Sequence, residues 1–169
     1  MAQAMGMAVR DAVPADAPAL AAIFLRARAA AMPGLVEPYQ AQAVARWLTG
    51  VLMRDHRVRV AESGGEPVGY IGHGLDAEHG AMVFHLYLDP DWHRRGIGSG
   101  LLTEAIAAHG APLSLYCFAR NAGGRAFYDT HGFRPVAARD GAANEEGEPD
   151  ILFVRDAAPK QTHPRKDMP

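Results

Sequence analysis

The sequence predicts one α/β domain, in which a mixed sheet is flanked by helices in the order β-α-α-β-β-β-α-β-α-β-β. Short strand-like segments joined by glycine turns follow the first two helices, a pattern typical of antiparallel hairpins. From residue 81 onward, strand and helix patterns alternate, which predicts a parallel β-α-β unit. The 169 residues, 49% of them apolar, are enough to bury a substantial core. We expect the domain to span residues 1–155 and a polar, flexible tail to occupy 156–169.

The first third of the chain predicts an edge strand and two amphipathic helices. Met7 to Arg10 is short enough for an edge strand. Asp16 stands before Ala17-Pro18, and an acidic N-cap with proline in the first turn marks a helix start. Met32-Pro33-Gly34 ends this helix. The second helix carries apolar side chains at helical spacing: Val44, Trp47, Leu48, Val51 and Leu52.

Glycine, proline and acidic residues separate the remaining segments. Strands are predicted at 57–60, 67–74, 81–88, 112–118, 133–138 and 151–154. Helices are predicted at 99–109 and 122–130, each ended by a glycine. A polar loop over 139–149 precedes the last strand.

Charge and cysteine content narrow the function classes. The formal net charge is −2, so no global basic field favours nucleic acid as a partner. Cys117 is the only cysteine, which excludes an intrachain disulfide and fits a reducing compartment. The sequence shows no secretion signal, membrane span or metal-ligand spacing. We therefore expect a cytoplasmic protein without a metal or membrane partner. Its oligomeric state stays open, a homodimer being one option.

The most informative stretch is FHLYLDPDWHRRGIGSGLL, residues 84–102. It predicts a strand that leads through a glycine-rich loop into a helix, whose free N–H groups and dipole favour an anion. A P-loop would need Lys and then Ser or Thr after the last glycine, where Leu101-Leu102 stands. A dinucleotide fingerprint would need a third glycine where Leu101 stands and an acidic residue about 20 residues further on, whereas no Asp or Glu lies between Glu104 and Asp129. The sequence therefore favours neither of these two phosphate-binding loops.

Two motifs together resemble the GNAT superfamily of acyl-CoA-dependent N-acyltransferases. His93 to Gly98 is similar to its [Gln/Arg]-x-x-Gly-x-[Gly/Ala] loop, except that His93 replaces Gln or Arg. Asn121 to Tyr128, followed by Gly132-Phe133, is similar to its second motif. The resemblance implies acetyl-CoA as co-substrate and a sheet that is splayed where the ligand enters. It also implies the binding residues: Leu86, Tyr87, Leu88, His93, Arg94, Arg95, Gly96, Ile97, Gly98, Ser99 and Asn121.

The resemblance also assigns catalytic roles. Tyr128 matches the family's usual general acid, and an ordinary phenol keeps its proton at neutral pH. Family members often carry a glutamate base on the strand before the loop, and this chain has none there. His85 is the base predicted on that strand, and His73 is a weaker candidate. Two alternatives stay open, namely a water chain and an amine that arrives neutral.

The acceptor is predicted to be a small amine. Glu145, Glu146 and Asp150 lie in an acidic segment before the last strand, where a cationic amine would be attracted. A solvated loop is the plainer interpretation, and Met32 to Tyr39 would then line the acceptor pocket. Acetylation of a protein N-terminus or lysine is a second hypothesis, and a non-catalytic CoA sensor is a third.

Overall fold

The computed structural model describes residues 6–157, which form a seven-stranded mixed sheet in the order β1-β2-β3-β4-β5-β7-β6. All neighbouring strands are antiparallel except β4 and β5. The strands are β1 (Met7–Asp11), β2 (Arg57–Ser63), β3 (Glu66–Asp76), β4 (Gly80–Leu88), β5 (Leu113–Phe118), β6 (Arg134–Arg139) and β7 (Asp150–Arg155).

Helices cover both faces of this sheet and form two cores. The helices are α1 (Ala17–Ala31), α2 (Ala41–Trp47), α3 (Met53–Asp55), α4 (Ile97–His109) and α5 (Ala122–Thr130). One core is built around Leu101 and Leu102 of α4. The other is built around Leu20 and Phe24 of α1 together with Tyr70 of β3. The strand β4 contributes side chains to both cores, so its two faces look toward different helices.

The predicted element order is confirmed, and two local details differ. The second helix is not uniformly α-helical, because a π-helical turn over Leu48–Leu52 joins α2 to α3. Asp16 occupies the N-cap position of α1 but does not cap it. Its carboxylate instead accepts from the backbone N–H of Val13 at 2.8 Å and from Arg10 at 2.8 and 2.9 Å. The ion pair with Arg10 therefore replaces the expected cap.

A β-bulge in β4 decides which way its side chains face. Gly72 pairs with His85 and His73 pairs with Val83, so Phe84 is an extra residue without a partner on β3. Because a bulge inserts one residue, it shifts the alternation of side chains beyond it. Val83 therefore packs in the α4 core, whereas Phe84 and Tyr87 pack against the α1 core.

The predicted tail, 156–169, lies outside the described residues except for Asp156 and Ala157. Within residues 6–157, no helix is both long and apolar enough to cross a membrane.

Candidate active site

A cavity of about 820 Å³ runs from the N-terminus of α4, between β4 and β5, to the C-terminal half of α1. The α4 end is lined by His93, Arg94, Gly96, Ile97, Gly98 and Ser99. The α1 end is lined by Ala27, Arg28, Ala31, Met32, Phe118 and Asp150. Tyr87, Cys117, Asn121 and Tyr128 lie along the same cavity. One continuous space thus joins the anion loop to side chains from five other elements, namely α1, β4, β5, α5 and β7.

The middle of the cavity is a gap in the sheet. The strands β4 and β5 pair only at Met82 with Ser114 and at Val83 with Leu115, although β4 continues to Leu88. On the other side of β4, the backbone N–H of Asp89 donates to the backbone carbonyl of Val68 in β3 at 2.8 Å. Successive N–H groups of a strand point to opposite sides, so the N–H groups of Leu86 and Leu88 face the gap. The splayed sheet predicted from the sequence is present.

The α4 end of the cavity is built for an anion. Gly96 caps α4 in the left-handed region, with φ of 77°, and no side chain bonds the free backbone N–H groups as a cap. The N–H groups of Ile97, Gly98 and Ser99 therefore have no partner within the helix. Arg94 adopts φ of 61°, unusual for a residue with a side chain, and lines the cavity beside them. Backbone amides, the helix dipole and one guanidinium thus act on the same space.

The two arginines of the loop have different positions. Arg94 lines the cavity, whereas Arg95 does not. The guanidinium of Arg95 lies 4.5 Å from the ring centre of Trp92 and donates to the carbonyl of Asp91 at 3.3 Å. Stacking of this kind fixes the guanidinium against the loop. Arg95 therefore braces the loop, although the sequence predicted that it contacts the ligand.

Tyr128 presents its hydroxyl to the cavity on a firmly packed ring. Ring centres of Phe127, Phe133 and Phe153 lie 5.3, 5.8 and 6.3 Å from its own. Its hydroxyl makes no hydrogen bond to any side chain or backbone group within residues 6–157. Loss of hydration on burial raises the pKa of Tyr128 well above its ordinary value. The phenol is therefore protonated at every physiological pH.

Asn121 keeps only half of the hydrogen-bonding capacity expected of it. Its Oδ1 caps α5 by accepting from the backbone N–H of Gly124 at 2.9 Å. Its Nδ2 remains as the group that can donate to a ligand in the cavity. The amide therefore serves α5 and the cavity at once, through different atoms.

His85 does not line the cavity and is a poor base. The bulge at Phe84 turns it toward α1, where its ring stacks on Phe24 at 5.4 Å and on Trp47 at 4.9 Å. Its Nδ1 is 3.0 Å from the hydroxyl of Tyr70. Burial, and secondarily the charge of Arg28, lowers the pKa of His85 to about 3. The geometry does not support the role predicted for it.

The other candidate, His73, is also remote from the cavity lining. It lies in β3, with Nδ1 2.8 Å from Nε2 of His109, the last residue of α4. Burial, followed by the charge of His109, lowers the pKa of His73 to about 4. Both histidines on these strands are neutral in the folded protein.

The acidic loop between β6 and β7 is largely neutralised by arginines from distant parts of the chain. Glu146 lies 2.8 Å from Arg28, Glu148 lies 3.3 Å from Arg120, and Asp150 is paired with Arg139. Glu145 is exposed, and neither Glu145 nor Glu146 lines the cavity. The sequence prediction missed these pairs because each joins residues that only the fold brings together. Of the three predicted acceptor residues, only Asp150 lines the cavity.

Arg28 is the cavity residue that the sequence analysis did not anticipate. It sits on the apolar side of α1, and its side chain is only 4% exposed. Cys117 was also overlooked as a lining residue, and burial raises the pKa of its thiol to about 11. A charged residue within the apolar stripe of α1 was the available signal for Arg28, since such a residue is rarely buried without partners.

Comparison with known proteins identifies this architecture. The family model described as the acetyltransferase (GNAT) domain matches residues 54–135, which include the glycine loop, the sheet gap and Tyr128. The segment 54–135 therefore matches a GNAT acetyltransferase domain. A protein of Mycobacterium tuberculosis named as a probable N-acetyltransferase is 29% identical over 136 residues, which are 74% of this chain and 78% of that protein. The resemblance in the sequence is thus confirmed.

Solved structures share the GNAT fold over nearly the whole chain. An acetyltransferase from Thermus thermophilus has a TM-score of 0.70 and 25% identity, over 90% of this chain and 98% of that one. The PaiA N-acetyltransferase from Thermoplasma acidophilum, solved in complex with coenzyme A, has a TM-score of 0.67 and 19% identity, over 90% and 99%. This GNAT protein is an acetyl-CoA-dependent N-acetyltransferase.

Proposed function

We propose that this acetyltransferase moves the acetyl group of acetyl-CoA onto a primary amine of a small molecule, by direct attack in a ternary complex. The single observation that carries the proposal is the continuous cavity, which joins an anion loop, free strand amides and a buried phenol to a second end at α1. We call the α4 end the CoA end and the α1 end the acceptor end.

The CoA end suits the pyrophosphate, and the sheet gap suits the pantetheine arm. The free N–H groups of Ile97, Gly98 and Ser99 would cradle the phosphates, with Arg94 adding charge. The pantetheine amides would complete the sheet by bonding the unpaired edge of β4. Nδ2 of Asn121 supplies a further donor along this path.

The reaction requires three events at the thioester. The amine nitrogen attacks the carbonyl carbon, and the N–H of Leu88 is proposed to stabilise the oxyanion that forms. The carbon–sulfur bond then breaks, and Tyr128 gives its proton to the leaving thiolate. The nitrogen loses one proton, which returns the phenol to its starting state directly or through water. Atoms and charges balance, with CoA thiol and an amide as products.

The amine is proposed to enter as the neutral base. His85 and His73 lie away from the cavity lining, and the CoA-end histidine, His93, belongs to the phosphate loop. Asp150 lines the acceptor end, but its carboxylate is held by Arg139, with the closer contact at 2.5 Å and the other at 2.7 Å. Deprotonation before binding needs no enzyme base.

The acceptor end favours an amine carried on an apolar or aromatic body. Its walls are Ala27, Ala31 and Met32 of α1 and the ring of Phe118, while the nearby carboxylates are paired with arginines. Met32 belongs to the segment that the sequence analysis gave as the alternative acceptor wall. A purely electrostatic attraction of a polycation is less suited to this lining.

The proposal is tested by thiol release from acetyl-CoA over a panel of amines. We expect benzylamine or tyramine to be acetylated faster than spermidine at equal concentration. Binding of acetyl-CoA, seen as a thermal shift, without thiol release on any amine would instead indicate a sensor. Faster reaction with a peptide N-terminus than with any small amine would indicate a protein acetyltransferase.

A further inference from the structure

Arg28 joins two loops that are far apart in the sequence. Its Nε donates to Glu37 at 2.7 Å, and its Nη2 donates to Glu146 at 2.8 Å and to Glu37 at 3.3 Å. Glu37 belongs to the loop between α1 and α2, whereas Glu146 belongs to the loop between β6 and β7. The side chain of Glu146 is only 8% exposed, so this pair lies largely out of water. One guanidinium thus holds a carboxylate from each loop.

Three aromatic rings fix the position of this guanidinium. Its central carbon lies 4.7 Å from the ring centre of Phe24, 5.7 Å from that of Tyr39 and 5.4 Å from that of Phe118. A planar guanidinium can contact rings and two carboxylates at once, which the point charge of a lysine cannot reproduce. The group is therefore a rigid fastening rather than a mobile surface charge.

A second arginine, Arg120, also links these two loops, and we call its contacts and those of Arg28 the two ties. Arg120, which follows β5, lies 3.3 Å from Glu148 and donates to the backbone carbonyl of Met32, also at 3.3 Å. It too connects the loop between β6 and β7 to the chain segment after α1. Both ties lie at the acceptor end, which Arg28 and Met32 line directly.

We propose that Arg28 is a specificity-determining positioning residue, which holds the two loops together over the acceptor end and so restricts acceptors to small amines. The inference deepens the proposed function and rests on its assignment of the acceptor end. An extended polypeptide would have to part the loops and break the pair between Arg28 and Glu146, whose charges are largely desolvated, and that is costly. A small amine would fit without breaking them.

Glu146→Gln is the direct test, because it removes one arm of the fastening and keeps its shape. The pair between Arg28 and Glu37 remains balanced in charge, so the fold should persist. Glu66→Gln is the matched control, since it makes the same change on an exposed residue of β3. Glu148→Gln loosens the second tie and serves as an independent variant should Glu146→Gln fail to fold.

Access to the cavity can be measured without knowing the acceptor. Cys117 is the only cysteine and lines the cavity, so its rate of alkylation reports entry of a reagent. With acetyl-CoA bound, we expect fluorescein maleimide to react roughly tenfold or more faster with Glu146→Gln than with the original chain, the factor expected for losing one charge-assisted hydrogen bond. The Glu148→Gln variant should show a smaller increase, and Glu66→Gln none.

Activity supplies the second measurement. We expect Glu146→Gln to raise the rate on an eight-residue peptide relative to the rate on benzylamine, with an unchanged Michaelis constant for acetyl-CoA. If the original chain acetylates benzylamine but neither labelling nor this ratio responds to the substitutions, the fastening role is refuted and the proposed function stands. If labelling responds and no amine is acetylated, the fastening role stands and the proposed function is refuted.

Discussion

Replacing Tyr128 by Phe isolates the proposed proton donor. The substitution removes one oxygen and keeps the ring that packs on Phe127, Phe133 and Phe153. Because the hydroxyl has no partner within residues 6–157, no protein hydrogen bond is lost, and stability should change by less than about 0.5 kcal/mol. General acid catalysis is typically worth about 10²–10⁴ in rate, so turnover should fall by that factor. This corresponds to about 3–5 kcal/mol of transition-state stabilisation.

Thiol release under saturating acetyl-CoA and amine measures the effect, and a thermal shift measures acetyl-CoA binding, which should be unchanged. Tyr70→Phe is the matched control, since it also removes a phenolic hydroxyl, one that lies 3.0 Å from Nδ1 of His85 and away from the cavity lining. That variant should lose about 1 kcal/mol of stability and keep turnover within about twofold. A turnover number for Tyr128→Phe equal to that of the control, with chemistry rate-limiting, would refute the reasoning.

Further predictions concern the glycine loop, the acceptor proton and the buried histidines. In thermal-shift assays, acetyl-CoA at about 100 times its Kd should stabilise the fold by about 2.7 kcal/mol, and Gly98→Val should abolish this stabilisation. Gly100→Ala should preserve it, because a Cβ atom added at Gly100 has no atom within 4 Å. The rise of kcat/KM with pH should follow the pKa of the amine used, so amines of different basicity should move the rise; a fixed profile would reveal an enzyme base. His73 and His85 have folded pKa values of about 4 and about 3, so the unfolded chain binds more protons below about pH 6.5. Urea denaturation should therefore give a stability about 2 kcal/mol lower per histidine at pH 5 than at pH 7, and equal values would contradict their burial.

Local signals predicted the fold well because most elements are bounded by nearby residues. Proline and glycine set the ends of α1, the turn at 63–66 and the end of α4, and each of these was placed within one or two residues. The π-helical turn at Leu48–Leu52 was not predictable, because its apolar spacing also fits an α-helix. Asp16 was assigned correctly to the N-cap position, but its partner Arg10 was not foreseen.

In the candidate site, too, only the residues that belong to local sequence motifs could be predicted. The loop from His93 to Ser99 and Tyr128 could be predicted, since continuous motifs carry them. The side of the sheet on which His85 lies could not be predicted, because it depends on the extra residue of the bulge in β4 and not on strand alternation alone. The ion pair of Glu146 could not be predicted either, because its partner Arg28 is 118 residues away in the sequence and no local pattern links the two.

The gap between β4 and β5 makes the sheet two half-sheets, of four and three strands, that meet at only two residue pairs. The pantetheine arm would connect the two half-sheets by hydrogen bonding to the edge of β4 that has no strand partner beyond Val83. The co-substrate would then be part of the sheet as well as a reactant. Amide hydrogen exchange in Leu86 and Leu88 should slow most when acetyl-CoA binds, and release of CoA after each turnover should loosen the same seam.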